Sequence, residues 1–247
     1  GTQGVSVKQF VQHATDSGYH CIIMNFTSDD HKHDRTVIPG LTHAKSEDIS
    51  TVVKHVRKEL GQDVHLYALG ISLGANLLTK YLSFHEHNHG IDAAVCLANP
   101  FDLKSTAHTL ASYWSNFYDR QLLTKRKSIM DSNLHFFTRT NTQLEQEMRR
   151  ELQTVESNKE FDAKFTLRLI KDRIQEEAKY IQDPDTRLIG DELNAYYVHQ
   201  SSNQDVQKMN IPYLCINSKD DMISLIQSVP VEAAQENKNV AFVFTER

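Results

Sequence analysis

No stretch of the chain approaches the roughly 18 consecutive apolar residues that a membrane-crossing helix needs. No charged-then-apolar leader opens the sequence, and its first residue is Gly1 rather than Met. Cysteine is scarce, with Cys21, Cys96 and Cys215 alone. An odd count without framework spacing argues against a disulfide-stapled secreted domain, so an intracellular, reducing compartment is the expectation. Each cysteine sits in an apolar run that reads as a buried strand, where a thiol serves as a small hydrophobe. Basic runs are missing too. The net charge is −5, and the densest basic stretch, Lys125-Arg126-Lys127, reads as a solvated helix turn, so nucleic acid is not an expected partner. No G-x-G-x-x-G or Walker pattern occurs, and no nucleotide or other cofactor is implied.

What is present suits one α/β domain carrying an insertion. The 247 residues, 39% hydrophobic and 24% charged, are ordinary for a globular chain of that size. Residues 1–101 and 211–247 alternate short apolar runs with amphipathic stretches. Residues 102–210 are polar, read mostly as helix and hold the single Trp, so they are expected to form a helical cap on a core made of 1–101 plus 211–247. Within the core, His20 to Phe26 (HCIIMNF) reads as a buried strand. Ser46 to Leu60 reads as a helix, with Ile49, Val52, Val53, Val56 and Leu60 at helical spacing, Ser46 as its cap and Gly61 as its stop. Further strands are expected at Val64–Leu69, Ile91–Ala98, Ile211–Asn217 and Asn239–Thr245. Helices are expected at Ala75–Phe84 and Val231–Gln235. Continuous apolar strands alternating with helices imply a mostly parallel, doubly wound sheet covered on both faces, with catalytic loops at the carboxyl ends of its strands.

The chemistry is carried by Gly70-Ile71-Ser72-Leu73-Gly74, a G-x-S-x-G directly after a predicted strand and directly before a predicted helix. That is the context of a nucleophile elbow. Reversing a strand into a helix within a few residues strains the serine backbone, and side chains two before and two after it would clash, hence two glycines. Ser72 is thereby held exposed, its hydroxyl expected to open to a pocket beneath the cap. The positive end of the following helix faces it, and the N–H of Leu73 becomes an oxyanion donor.

A serine at its free pKa needs a base, and the base an orienting acid, in the chain order Ser, Asp or Glu, His. The strand Pro212 to Asn217 ends in Asp220 and Asp221. Asp221, which leads into the apolar pair Met222-Ile223, is the candidate acid, and loop-solvating or capping roles are the alternative for both. The last of 13 histidines is His199, so none follows Asp221. For His199 to be the base, the cap would have to fold over the site.

Several blocks, in order, resemble one branch of the α/β hydrolases. It includes bacterial YheT, plant embryogenesis-associated hydrolases, yeast ethanol acyltransferases, and animal monoacylglycerol lipase and phospholipase members. The blocks are Gly18 to Asn25, Ser46-Glu-Asp-Ile49, Gly70 to Leu82, Asn99-Pro-Phe-Asp-Leu103, Glu160 to Thr166, Ala195-Tyr-Tyr197 with Ser201-Ser202, and Ile211 to Asp221 followed by Val229-Pro230 and the last strand. The resemblance implies an α/β-hydrolase fold and serine ester or lipid hydrolysis, with acyltransfer as a variant. It implies an oxyanion loop at or before Gly1-Thr2 and a catalytic His in a G-G-H just past Arg247. The core is therefore expected to be cut short at both ends, and the chain as given to be inactive. Two departures stand out. Asn25-Phe-Thr-Ser-Asp29 replaces the family's N-x-R-G, and the cap carries an extra helical stretch around Leu167 to Asp185.

Other signals compete less well. The tracts Asp30-His-Lys-His-Asp34 and His85-Glu-His-Asn-His89 resemble zinc tracts, but both read as surface loops, and no metal site is assigned. Tyr113, Trp114, Phe117 and Tyr118 space as a helix face, either cap core or an acyl channel. The expected substrate is an acyl ester or lipid. Membrane-surface association is expected only through segments outside the chain. The rival reading is an inactive fold kept as a structural subunit of a larger assembly.

Overall fold

The computed structural model describes residues 5–24, 44–112, 116–138, 141–168 and 192–246. A helix not anticipated from the sequence, α1 (Val5–Asp16), comes first, then α2 (Ala44–Leu60). The elbow unit is β1 (Tyr67–Ile71) and α3 (Leu73–His85), followed by β2 (Ala93–Leu97). Five helices follow: α4 (Leu103–Leu110), α5 (Asn116–Thr138), α6 (Thr142–Thr154), α7 (Asn158–Phe161), which runs into a π turn at Asp162–Thr166, and α8 (Glu192–Gln200). The chain then returns through a 3-10 turn (Asn203–Lys208) to β3 (Tyr213–Ser218), α9 (Glu232–Glu236) and β4 (Val240–Thr245). No helix among the described residues is long and apolar enough to cross a membrane.

Among the described residues the four strands are all parallel and stand in the order β1-β2-β3-β4. A right-handed crossover between parallel neighbours places its helix on a fixed face. With strands added in one direction, α3 and α9 fall on the same face. That face is the core: Ala94, Cys96, Tyr213, Cys215 and Val240 pack with Ala75, Leu78, Tyr81 and Leu82 of α3 and Ala233 of α9. The opposite face differs from the expectation of two covered faces. Its register rows, Leu69-Val95-Leu214 and Ile71-Leu97-Ile216-Val243, are half-buried or exposed, Ile71 at 42% and Val243 at 46%.

The first expected strand is corrected. Residues 20–24 make no ladder among the described residues, and Tyr19, Ile22 and Ile23 are exposed. Cys21 is exposed as well, unlike the buried thiols of Cys96 and Cys215. β1, the neighbour this segment approaches through an edge-to-face contact of Tyr19 with Tyr67 at 6.3 Å, is paired among the described residues on one side only, with β2. Without ladder partners an apolar run has no way to satisfy its backbone as a strand. Two boundaries also move. The helix starts at Ala44, so Ser46 lies inside its first turn rather than capping it. β1 begins at Tyr67 rather than Val64, because residues 64–66 are occupied elsewhere: the Arg57 guanidinium donates to Val64 O, and Leu66 N–H donates to the Asp92 carboxylate. Gly61 ends α2 with φ 86°, as a helix stop requires.

Residues 103–200 hold two apolar clusters of their own. One is Leu123, Met130, Leu134, Met148, Leu152, Val155, Phe161 and Phe165. The other joins Leu103 to Leu193, Tyr196 and Tyr197. Val206 and Met209, although inside 102–210, pack in the sheet cluster. The stretch Leu167 to Asp185 lies outside the described residues after Arg168. The helices are tied together by a buried charge pair. Arg126 of α5 donates to the Asp162 carboxylate and lies over the Phe161 ring at 4.3 Å. Asp162, 3% exposed, also accepts from Thr166 Oγ1 (2.7 Å) and Tyr197 OH (2.9 Å). Burial, and then the neighbouring Asp162 charge, push the Tyr197 phenol well above its ordinary pKa, so it stays a donor.

Removing the negative partner would strand a mostly buried guanidinium, 23% exposed, at a cost of about 3 kcal/mol, the lower end for buried pairs. Asp162→Asn is expected to lower the urea unfolding free energy by about that much. The double variant Arg126→Met, Asp162→Asn should recover part of it.

Candidate active site

Ser72 stands at the carboxyl end of β1, between the strand and α3, with φ 53° and ψ −123°. A non-glycine residue there is strained and persists only where its surroundings over-determine it. They do so on both sides. Ser72 N–H donates to Leu97 O at 2.8 Å, one step beyond the β1–β2 ladder, and Ser72 O accepts from Ala75 N (2.8 Å) and Asn76 N (3.2 Å). The side chain is exposed. Leu73, half-buried, opens α3, and the N–H of a first helical residue has no acceptor within its own helix.

The two glycines of the motif are not equivalent. A Cβ at Gly70 would sit 2.6 Å from Ala75 Cα and 2.7 Å from Gly74 O, so the close return of α3 over β1 excludes any side chain there. A Cβ on Gly74 would meet nothing within 4 Å. The expected clash at Gly74 is therefore absent among the described residues: its position already follows the helix outward, away from the strand.

Asp221 follows β3, two strands from β1. Neighbouring strands lie about 4.8 Å apart, so the two strand ends stand roughly 10 Å apart, a gap that an imidazole hydrogen-bonded at both ends can bridge. The aspartate pair divides its work. Asp220 is exposed and accepts from Ser218 Oγ, turning back toward its own strand. Asp221 is half-buried, and its Oδ1 accepts from the N–H groups of Ile223 (2.7 Å) and Ser224 (2.9 Å). This fixes the carboxylate plane and leaves its other oxygen for a further partner. The turn is anchored in turn: Ser224 Oγ donates to Ala98 O at 2.7 Å, and Thr106 Oγ1 of α4 donates to Ile223 O at 3.0 Å. Ala98, just past β2, has φ 49°. An open cavity of about 190 Å³ lies between α4 and this turn, lined by Thr109, Ser112, Lys219, Asp221, Met222 and Leu225 among others. Ser72 is not in its wall, so the cavity stands beside the Asp221 turn rather than at the serine.

The remaining candidates fall elsewhere. Gly1 and Thr2, expected near the oxyanion, lie outside the described residues, as do Asn25–Asp29 and the tract Asp30–Asp34. His199 ends α8 near Lys80, whose charge acts on it. Lys80 is eight residues beyond Ser72, about 12 Å along α3 at 1.5 Å per residue, and Gln200 O accepts from Asn76 Nδ2 at 2.9 Å, so His199 lies alongside the middle of α3. The tract His85–His89 is not a free surface loop. His89, 4% exposed, bonds Asn210 at 3.0 Å and accepts from Ile91 N, and His87 bonds the same Asn210. No group of three His, Cys, Asp or Glu among the described residues could hold a metal ion. Of the aromatic face, Tyr113 and Trp114 lie outside the described residues, while Phe117 and Tyr118 are 68% and 44% exposed, which removes these two from the cap core.

A polar ridge that sequence reading missed runs along α3 from the elbow. Asn76 Nδ2 donates to Gln200 O (2.9 Å), Lys80 Nζ to Ser201 O (3.0 Å) and Asp205 (3.2 Å), and Ser83 Oγ to Asp205 (2.8 Å). The residues recur at i, i+4 and i+7, one helical face. Ser201 Oγ in turn accepts from Leu103 N at 2.9 Å, and Ser202 N–H donates to Phe101 O at 3.0 Å. The start and the return of the 103–200 segment are thus stapled to each other and to the serine's helix. The signal lay in the i, i+4, i+7 polar positions of an otherwise apolar helix.

A family profile described as alpha/beta hydrolase fold matches residues 4–246. The chain belongs to the alpha/beta hydrolase fold family. Among curated proteins it is 26% identical to mouse "Phospholipase ABHD3" over 255 residues, 99% of this chain and 54% of that one. It is 26% identical to "Embryogenesis-associated protein EMB8" of Picea glauca, over 99% and 49%. With the yeast "Monoacylglycerol lipase" it shares 26% over 78% and 38%. These relatives belong to the branch that the ordered sequence blocks resemble. The chain spans about half the length of the first two relatives and 38% of the yeast protein.

Two outcomes follow from this geometry. Gly70→Ala is expected to destabilise the fold by about 1–3 kcal/mol, the usual range for overpacking, and Gly74→Ala by much less, as read from thermal unfolding. The His199 imidazole, half-buried, is pushed down to about 4, first by burial and then by Lys80. Its unfolded value near 6.5 is higher, so the unfolded chain binds this proton first. The contribution is complete above about pH 6.5 and is lost as pH falls toward 4. Urea titrations from pH 7 to 4 should show His199→Gln flattening the acid loss of stability by about 2–3 kcal/mol.

Proposed function

We propose that this chain is the core of a serine hydrolase acting on carboxylic esters of lipids. The observation that supports it most is Ser72, a strained, exposed serine held between strand and helix by bonds on both sides. In this reading Ser72 Oγ attacks the acyl carbonyl. The N–H of Leu73 and the positive end of α3 receive the oxyanion. An imidazole supplied from beyond the carboxyl end of β4 takes the hydroxyl proton and later gives it to the leaving alkoxide. Asp221, its Oδ1 already engaged by Ile223 and Ser224, holds that imidazole's other nitrogen with its remaining oxygen. Water then releases the acyl group, and an alcohol in its place would make the same site an acyltransferase. The names of the relatives, phospholipase and monoacylglycerol lipase, favour a glycerolipid ester over a small soluble one. Residues 102–201 are read as the cap and 202–246 as the return to the core, because Val206 and Met209 pack with the sheet.

The test pairs the 247-residue chain with the full-length protein. Fluorophosphonate labelling and hydrolysis of a medium-chain acyl ester are expected in the full-length protein, and neither in the shorter chain. Ser72→Ala should abolish both. Asp221→Asn should lower kcat by about 10⁴-fold, since a misoriented imidazole costs that much in serine hydrolases, while Asp220→Asn changes it little. A full-length protein whose Ser72 does not label would instead support a non-catalytic subunit.

A further inference from the structure

We propose that Thr106 and Ser224 are positioning residues for Asp221, so that the first helix of the cap and the end of β2 together set the acid's place. This deepens the serine-hydrolase reading and rests on it.

The acid turn makes its own two bonds to Asp221 Oδ1, from Ile223 N and Ser224 N. Such a turn fixes the carboxylate relative to residues 221–224 but says nothing about where those residues stand over the sheet. Two hydroxyls supply that. Ser224, 1% exposed, sends Oγ to Ala98 O, 126 positions away in sequence, at 2.7 Å. Ala98 follows Leu97, whose own carbonyl accepts from Ser72 N–H at 2.8 Å. Adjacent peptide groups at the end of β2 thus hold the serine on one side and the acid turn on the other. The positive φ of Ala98 is part of this arrangement: it bends the chain out of the strand just where its carbonyl meets Ser224.

The second hydroxyl comes from the cap. Thr106, 7% exposed and on the second turn of α4, donates to Ile223 O at 3.0 Å across 117 positions. Ile223 is the residue whose N–H holds Asp221 Oδ1 at 2.7 Å. Its peptide groups therefore face Asp221 on one side and the cap on the other. The start of α4 is fixed by Asp102, whose carboxylate accepts from Lys104 N (2.9 Å) and Ser105 N (3.1 Å), and by the bond from Leu103 N to Ser201 Oγ. Thr106 and Ser224 are 7% and 1% exposed, so losing either hydroxyl removes a tie between distant segments and frees the turn to shift. A displacement near 1 Å at a reacting group can cost about 10²-fold in rate.

The variants suited to the question are Thr106→Val, which deletes the hydroxyl at nearly constant shape, and Thr106→Ser, which keeps it. Ser224→Ala deletes the second tie and retains the N–H to Asp221. In the full-length protein, kcat is measured per serine titrated by fluorophosphonate, so that loss of folded protein is divided out. Thr106→Val and Ser224→Ala are expected to lower kcat per titrated serine by about tenfold or more with KM within about twofold, and Thr106→Ser to restore it. Hydrogen exchange at Ile223 and Ser224 should rise in both deletion variants while the β-sheet stays protected. Unchanged kcat per titrated serine, or exchange that rises equally in the sheet, would show the two hydroxyls to be structural only and overturn the proposal. Should the wild-type Ser72 fail to label, the serine-hydrolase reading falls. Exchange at Ile223 and Ser224 then still decides whether the hydroxyls hold the acid turn.

Discussion

Everything at the candidate site depends on how closely α3 returns over β1. Ala75 Cα stands 2.6 Å from where a Cβ on Gly70 would be, and that close approach allows the chain to reverse from strand to helix across a single strained residue. Ser72 carries the strain, and its backbone is pinned by Leu97 O ahead and by the first turn of α3 behind. Were the approach looser, the serine would relax into strand or helix and its hydroxyl would follow one of those surfaces. Because it is tight, the hydroxyl stands clear at the end of the sheet, with the positive end of a 13-residue helix against it.

The same helix carries the attachment of the inserted helices. Its apolar faces belong to the sheet core, while Asn76, Lys80 and Ser83 turn toward residues 200–205. A buried ammonium rarely gains net stability from its partner alone. What the Lys80 pairing provides is a defined register: Nζ takes a carbonyl at the end of α8 and a carboxylate in the turn after it. The described residues of 103–200 carry two apolar clusters and a mostly buried arginine–aspartate pair. Several of the ordered sequence blocks meet at this seam. Asp162 of one accepts from Tyr197 of another, and Ser201 accepts from Leu103.

The electrostatic arrangement favours neutral hydroxyls and imidazoles near this seam. Tyr197 is kept protonated by burial and by Asp162, and His199 is kept neutral by burial and Lys80. The turn after Asp221 meets α4, the end of β2 and an open cavity of about 190 Å³.

The sequence by itself determined the parallel α/β core and the elbow. Both are local matters, an apolar run followed by Gly-x-Ser-x-Gly and a helical repeat, and the ordered blocks placed the family. It also named Asp221 as a candidate acid, from an aspartate leading into an apolar pair at a strand end, which is a local pattern. Other features were illegible because they depend on distant partners. Whether residues 20–24 become a strand depends on a neighbour to pair with. Whether β1 begins at Val64 or Tyr67 depends on Arg57 and Asp92. Gly70 and Gly74 look alike in sequence, and only the path of α3 shows that one is sterically required. The histidine tract read as a surface loop until Asn210, more than 120 positions away, engaged His87 and His89. The turn after Asp221 is tied to α4 and to the end of β2 by two hydroxyls, Thr106 and Ser224, that no motif marks. A serine or threonine is common everywhere in a sequence, and only burial against a distant carbonyl makes its hydroxyl decisive.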